Sequence, residues 1–119
     1  MAAEMTAWRR DLHQHPELGY EETRTSEAVA KRLESWGLEV HRGLGKTGVV
    51  GVLRRALGGG PALGLRADMD ALPMEEESGA EHRSSTPGVF HGCGHDGHTT
   101  MLLGAAKHLA STRGFAGTV

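Results

Sequence analysis

Ala62-Leu63-Gly64-Leu65-Arg66-Ala67-Asp68-Met69-Asp70-Ala71-Leu72-Pro73 is the stretch on which the fold turns. Leu63, Leu65 and Ala67 alternate with Gly64, Arg66 and Asp68, the period of two that sends successive side chains to opposite faces of a strand. The pattern predicts a strand over residues 62–66. Asp68 and Asp70 then share one face just past its carboxyl end, where open α/β sheets place their ligands. Two carboxylates there can hold a metal or orient a catalytic group. The plain alternative is an Asp-rich turn that satisfies its own backbone.

Working outward, residues 38–40 and 49–53 read as two further strands. Gly45-Lys46-Thr47-Gly48 separates them, and Gly58-Gly59-Gly60-Pro61 precedes the third. Before them, Met5, Trp8 and Leu12 recur at helical spacing until Pro16 stops the run. A second helix is predicted over residues 21–36, with Thr25, Val29, Leu33 and Trp36 on one stripe. Acidic residues should crowd its first turn, and Gly37 stands where a left-handed cap is expected. Residues 72–89, with Pro73, Glu75-Glu76-Glu77 and Ser84-Ser85-Thr86-Pro87-Gly88, read as an exposed loop. A third helix follows over about residues 99–111, with Leu102, Ala105, Ala106 and Leu109 inward. Gly114-Phe115-Ala116-Gly117-Thr118-Val119 reads as a turn entering another strand. Helices alternating with buried strands argue for an α/β fold with three layers, α/β/α.

Chemistry concentrates in Phe90-His91-Gly92-Cys93-Gly94-His95-Asp96-Gly97-His98, which holds the only cysteine and three of the eight histidines. Thiolate, imidazole and carboxylate are the donors a borderline transition metal prefers. In an extended or looped backbone Cys93 and His95 project to the same side. Either alone would be unremarkable, a small buried hydrophobe or a helix-end histidine. Clustered within nine residues, they point to a metal site. Ligation requires the thiolate, so affinity should fall in acid.

Composition narrows the classes. The chain has 119 residues, a net charge of -2 and 24% charged residues, without the basic bias that nucleic-acid binding demands. Aromatic residues are 4% and glycines number 18, so the core must be Leu, Val and Ala and is thin for independent stability. One cysteine cannot close an internal disulfide, which suits a reducing compartment. No apolar run approaches the roughly 20 residues of a membrane span, and no secretory leader opens the chain. Cytoplasm is the default expectation, with no membrane or nucleic-acid partner.

Three motifs in order carry a resemblance. Trp8-Arg9-Arg10-Asp11-Leu12-His13-Gln14-His15-Pro16-Glu17-Leu18-Gly19-Tyr20-Glu21-Glu22-Thr23 resembles the opening signature of the hippurate hydrolases, N-acyl-amino-acid hydrolases and indole-acetyl-amino-acid hydrolases, within a wider dimetal peptidase family. Arg66 to Pro73 and His91 to His98 are similar to the next two motifs; the expected pattern has Ala where this chain has Gly92. The resemblance implies the N-terminal part of a catalytic domain over residues 1–119. It implies that Cys93 and His95 are metal ligands and that Asp70 supports the metal and the catalytic water. Asp68 stands where other branches carry a metal-binding histidine, and it keeps no assigned role, nor do His13, His15 and His98. Two divalent cations (Zn, Mn, Co or Ni) would activate water for hydrolysis of a small N-acyl amino acid. The general-base glutamate, the remaining ligands and a dimerisation domain are expected beyond Val119, making the full-length protein a homo-oligomer. Glu75, Glu76 and Glu77 do not match the base's motif.

Two rivals remain. One is a catalytically inactive, truncated metal-binding fragment or interaction piece. The other uses Cys93 as a nucleophile with a histidine, an arrangement that one-residue spacing serves poorly, since triad members usually come from distant positions.

Overall fold

The computed structural model describes residues 1–54 and 59–119, so the part of the predicted turn at Gly58 lies outside the described residues. The elements run α1 Ala2–Gln14, α2 Thr23–Ser35, β1 Glu39–Leu44, β2 Gly48–Val52 and α3 His95–Thr112. The fold is α/β, as its alternation of patterns predicts. No helix among the described residues is long and apolar enough to cross a membrane.

Local chemistry sets the helix ends. α1 stops at Gln14, two residues before Pro16. α2 begins later than its pattern suggests, so Glu21 and Glu22 precede it and its first turn holds no acid. The carboxylate comes from further back: Glu17 accepts the N–H groups of Arg24 and Thr25 at 2.9 and 2.7 Å. A helix start leaves such donors orphaned, and an acid aimed at them also meets the positive end of the dipole. At the other end Gly37 takes φ 81°. Its N–H reaches Glu34 O, and Leu38 N–H reaches Leu33 O, the paired bonds of a Schellman cap.

β1 and β2 form an antiparallel hairpin with Val40 opposite Gly51 and Arg42 opposite Val49. That face meets α2: Leu33 and Leu38 crowd Gly51, and Arg42 ion-pairs with Glu34 and Glu27. Val50, on the other face, is exposed. The core joins Trp8, Val29, Leu33 and Leu103, with Trp36, Val40 and Val49 packed against it.

The predicted third strand is only begun. Among the described residues, residues 62–66 form no ladder; one parallel bridge joins Ala62 to Thr118. Strand character requires a hydrogen-bonded neighbour, and here the neighbour is the short segment Thr118–Val119. That segment also bonds Leu53 in antiparallel fashion, at 2.8 and 3.1 Å. It therefore lies between the end of the hairpin and residues 61–63, with α3 in the crossover between the two parallel segments. Leu63 and Leu65 remain exposed.

α3 departs from expectation twice. It starts at His95, four residues before the predicted Thr99, because Gly94 takes φ 87° and closes the loop there. That conformation is cheap only for glycine. Its buried side chains are Asp96, Thr99, Thr100 and Leu103, with Gly104, whereas Leu102, Ala105, Ala106 and Leu109 are half-buried. The deepest stripe faces α1, where a Cβ on Gly104 would meet Met5 Cε at 2.7 Å. Leu102 and Leu109 instead line an apolar groove of about 450 Å³ shared with Val49, Leu63 and Leu65.

Candidate metal centre

The first turn of α3 faces the end of the 62–70 segment. His95 Nδ1–H donates to Asp70, to its carbonyl at 2.9 Å and its Oδ1 at 3.0 Å. A neutral ring that donates from Nδ1 presents its Nε2 lone pair outward, the usual support for a metal-binding histidine. That Nε2 lies 3.6 Å from Asp68 Oδ2. His98 Nδ1–H donates to Asp68 Oδ1 at 2.7 Å, and Thr99 Oγ1–H donates to Asp68 O at 2.8 Å. The bond from His98 and the nearby imidazoles hold the Asp68 carboxyl below its ordinary range, against the cost of burial. Among the described residues, Asp68, His95 and His98 form a group whose donor atoms all lie within 4.8 Å of one another.

The sequence-predicted residues are distributed as follows. Asp70 and His95 meet directly. Cys93 is exposed, one residue before the left-handed Gly94, and stands outside the three-residue group. Cys93 lies in the turn before α3 and His95 is the first residue of that helix. Asp68 and His98 were left without roles, yet they meet at the centre. A helix start placed at His95 would have exposed the signal, because residues three apart share a helix face.

Behind this open cluster lies a closed one. Asp96 Oδ2 accepts from Arg9 Nε at 2.9 Å and from His13 Nδ1 at 2.8 Å. His13 Nε2 meets Glu76 Oε1 at 2.9 Å. Burial works against the Asp96 charge, but His13 and Arg9 outweigh it and keep its carboxyl below the ordinary range. Burial opposes Glu76 too, and the donors Ser78 Oγ, Ser84 N–H and His13 still hold it at about 2. His91 is buried beside His13, with ring centroids 6.3 Å apart, and burial pushes its pKa down. These contacts tie α1 to the start of α3 and to the 74–91 loop.

The same chain matches known proteins. The model of peptidase family M20/M25/M40 matches residues 64–119. A Bacillus subtilis protein, YXEP, described as a dinuclear metal-binding peptidase of that family, superposes with a TM-score of 0.92 at 37% identity over 98% of this chain and 33% of its own. The chain is 52% identical to the hippurate hydrolase of Campylobacter jejuni, over 87% of this chain and 27% of that protein. It is 46% identical to the N-acyl-L-amino acid amidohydrolase of Geobacillus stearothermophilus, over 92% of this chain and 30% of that protein. The α/β fold is thus shared with a protein described as a dinuclear metal-binding peptidase. The chain is similar to the M20/M25/M40 peptidases over residues 64–119, and it spans less than a third of these two curated proteins' length.

Proposed function

We propose that the chain supplies the metal-binding beginning of a metal-dependent amidohydrolase that cleaves the amide bond of N-acyl or N-aroyl amino acids. The observation that carries this is His95, its Nδ1 fixed by Asp70 and its Nε2 free toward Asp68 at the start of α3. The donor set fits a borderline divalent cation. His95 would hold it through Nε2 and Cys93 through its thiolate, while Asp70 keeps the imidazole in the right tautomer and orientation. When bound, the cation would polarise the amide carbonyl and make a coordinated water acidic enough to attack near neutral pH. The names of the hippurate and N-acyl-amino-acid hydrolases support an N-acylated amino acid as substrate.

A second reading is a metal-binding piece without turnover of its own. It is favoured by the motifs matched here, which supply metal donors while the resemblance places the general base outside them. One experiment separates the two. The chain is purified, loaded with Zn²⁺, Mn²⁺, Co²⁺ or Ni²⁺, and assayed on N-benzoylglycine with and without chelator. Chelator-sensitive hydrolysis establishes the enzyme within these residues. Bound metal without hydrolysis establishes the metal-binding piece. Absence of stoichiometric metal overturns both.

A further inference from the structure

We propose that Asp68 is itself a ligand, its Oδ2 and His95 Nε2 forming one edge of the coordination shell, and that His98 is the positioning residue that holds Asp68 to that task. The inference rests on the metal centre proposed above and adds two residues to it.

Distance is the first argument. Asp68 Oδ2 and His95 Nε2 are 3.6 Å apart, too long for a hydrogen bond between them. Two metal bonds of about 2.0–2.2 Å at a tetrahedral angle put their outer atoms roughly 3.4 Å apart. The spacing also falls within ion-pair range, but a neutral ring that donates from Nδ1 has no proton on Nε2 to give Asp68, and a shared cation fits the gap.

Saturation is the second. Asp68 has its Oδ1 committed to His98 at 2.7 Å and its carbonyl to Thr99 at 2.8 Å. Among the described residues, the arginine paired with Oδ2 is Arg66, 85% exposed and 3.7 Å away, beyond hydrogen-bonding reach. His95 likewise has Nδ1 committed to Asp70. Each partner thus has one donor atom held in place and one left over, and the leftover atoms face each other. His95, His98 and Thr99 come from one helix face, so a single rigid element sets both the imidazole and the carboxylate.

The test uses metal alone. The apo chain is titrated with Co²⁺, its d–d absorption reporting binding and its sulfur-to-cobalt charge transfer reporting Cys93. Asp68→Asn should weaken Co²⁺ binding about ten- to a hundredfold, with an altered d–d spectrum, a retained sulfur band and an unchanged melting temperature. His98→Ala should weaken it about tenfold, and His98→Asn, whose amide nitrogen can take the place of Nδ1, should restore most of the loss. Asp68→Asn binding within about twofold of the parent would overturn the ligand assignment. Equal losses in His98→Ala and His98→Asn would overturn the positioning role. If Cys93→Ser and His95→Ala abolish binding while Asp68→Asn does not, the metal centre stands and Asp68 is outside it. A parent chain that binds no Co²⁺ overturns both.

Discussion

Two histidine–carboxylate clusters meet at the first turn of α3, built from the same groups to opposite effect. In one, His13 sits between Asp96 and Glu76 with side chains no more than 6% exposed, and both ring nitrogens are spent on carboxylates. In the other, His95 sits between Asp70 and Asp68 with side chains 15–38% exposed, and its Nε2 is left over. Residue type therefore does not distinguish the closed cluster from the open one. Saturation and access do. The closed cluster can only hold elements together, whereas the open one keeps a donor edge for a ligand.

The largest effect should come from breaking the closed side. His13→Ala leaves Asp96 and Glu76 as buried carboxylates short of a partner, and removing one member of a buried pair costs about 3–5 kcal/mol. We expect the urea midpoint to collapse and much of the chain to lose its helical circular dichroism. A midpoint like the parent's would mean that the closed cluster is not what holds α1 to α3.

Breaking the open side should do the reverse. His95→Ala and Cys93→Ser are expected to lower metal affinity by more than about a hundredfold, and Asp70→Asn by about ten- to a hundredfold, since it loosens the ring without removing a donor. Stability of Asp70→Asn should change by no more than about 0.5 kcal/mol. Isothermal titration with Zn²⁺ and urea unfolding of the same samples check both halves. Equal losses of stability and affinity would erase the contrast between the clusters.

Acid sharpens the comparison. Glu76 is held at about 2 against an ordinary 4.5. A carboxyl depressed by folding contributes its full stability above its unfolded pKa, and that contribution is lost as pH falls through the folded value. We therefore expect the urea midpoint to drop between about pH 4.5 and 2, and Glu76→Gln to be less stable above that window and flatter within it. An unchanged pH profile in Glu76→Gln would assign the acid sensitivity elsewhere.

The smallest effect marks the background. Lys107 and Glu4 form an ion pair at 2.6 Å between α1 and α3, but both side chains are more than 30% exposed. Glu4→Gln should cost no more than about 1 kcal/mol and leave metal affinity unchanged. A larger loss would show that the α1–α3 contact depends on its rim rather than on His13 and Asp96.

Much of this was legible along the chain. The α2 stripe of Thr25, Val29 and Leu33, the left-handed Gly37 and the stop before Pro16 follow from local spacing and backbone preference. So does the crowding of donor side chains from His91 to His98. The start of α3 is not legible because His95, Asp96 and Gly97 look like loop residues, whereas Gly94 at φ 87° lets the helix begin beneath them. With the start placed at Thr99, the shared face of His95, His98 and Thr99 is hidden, and with it their contact with Asp68. Leu63 and Leu65 carry a strand's pattern, but a pattern cannot supply the neighbour that a ladder needs.

What the sequence determined by itself is the three helices, the β1–β2 hairpin, the Gly37 cap and the types of donor in each motif, since these depend on residues within a turn or two of one another. Which histidine meets which carboxylate was decided only in three dimensions. Asp70 and His95 are 25 residues apart, Asp68 and His98 30, and His13 and Asp96 83. Pairings at such separations depend on how α1, α3 and the 62–70 segment pack, and on which side chains that packing buries or leaves open to water. Burial then separates chemically identical groups, making His13 a strut and leaving His95 with an uncommitted Nε2.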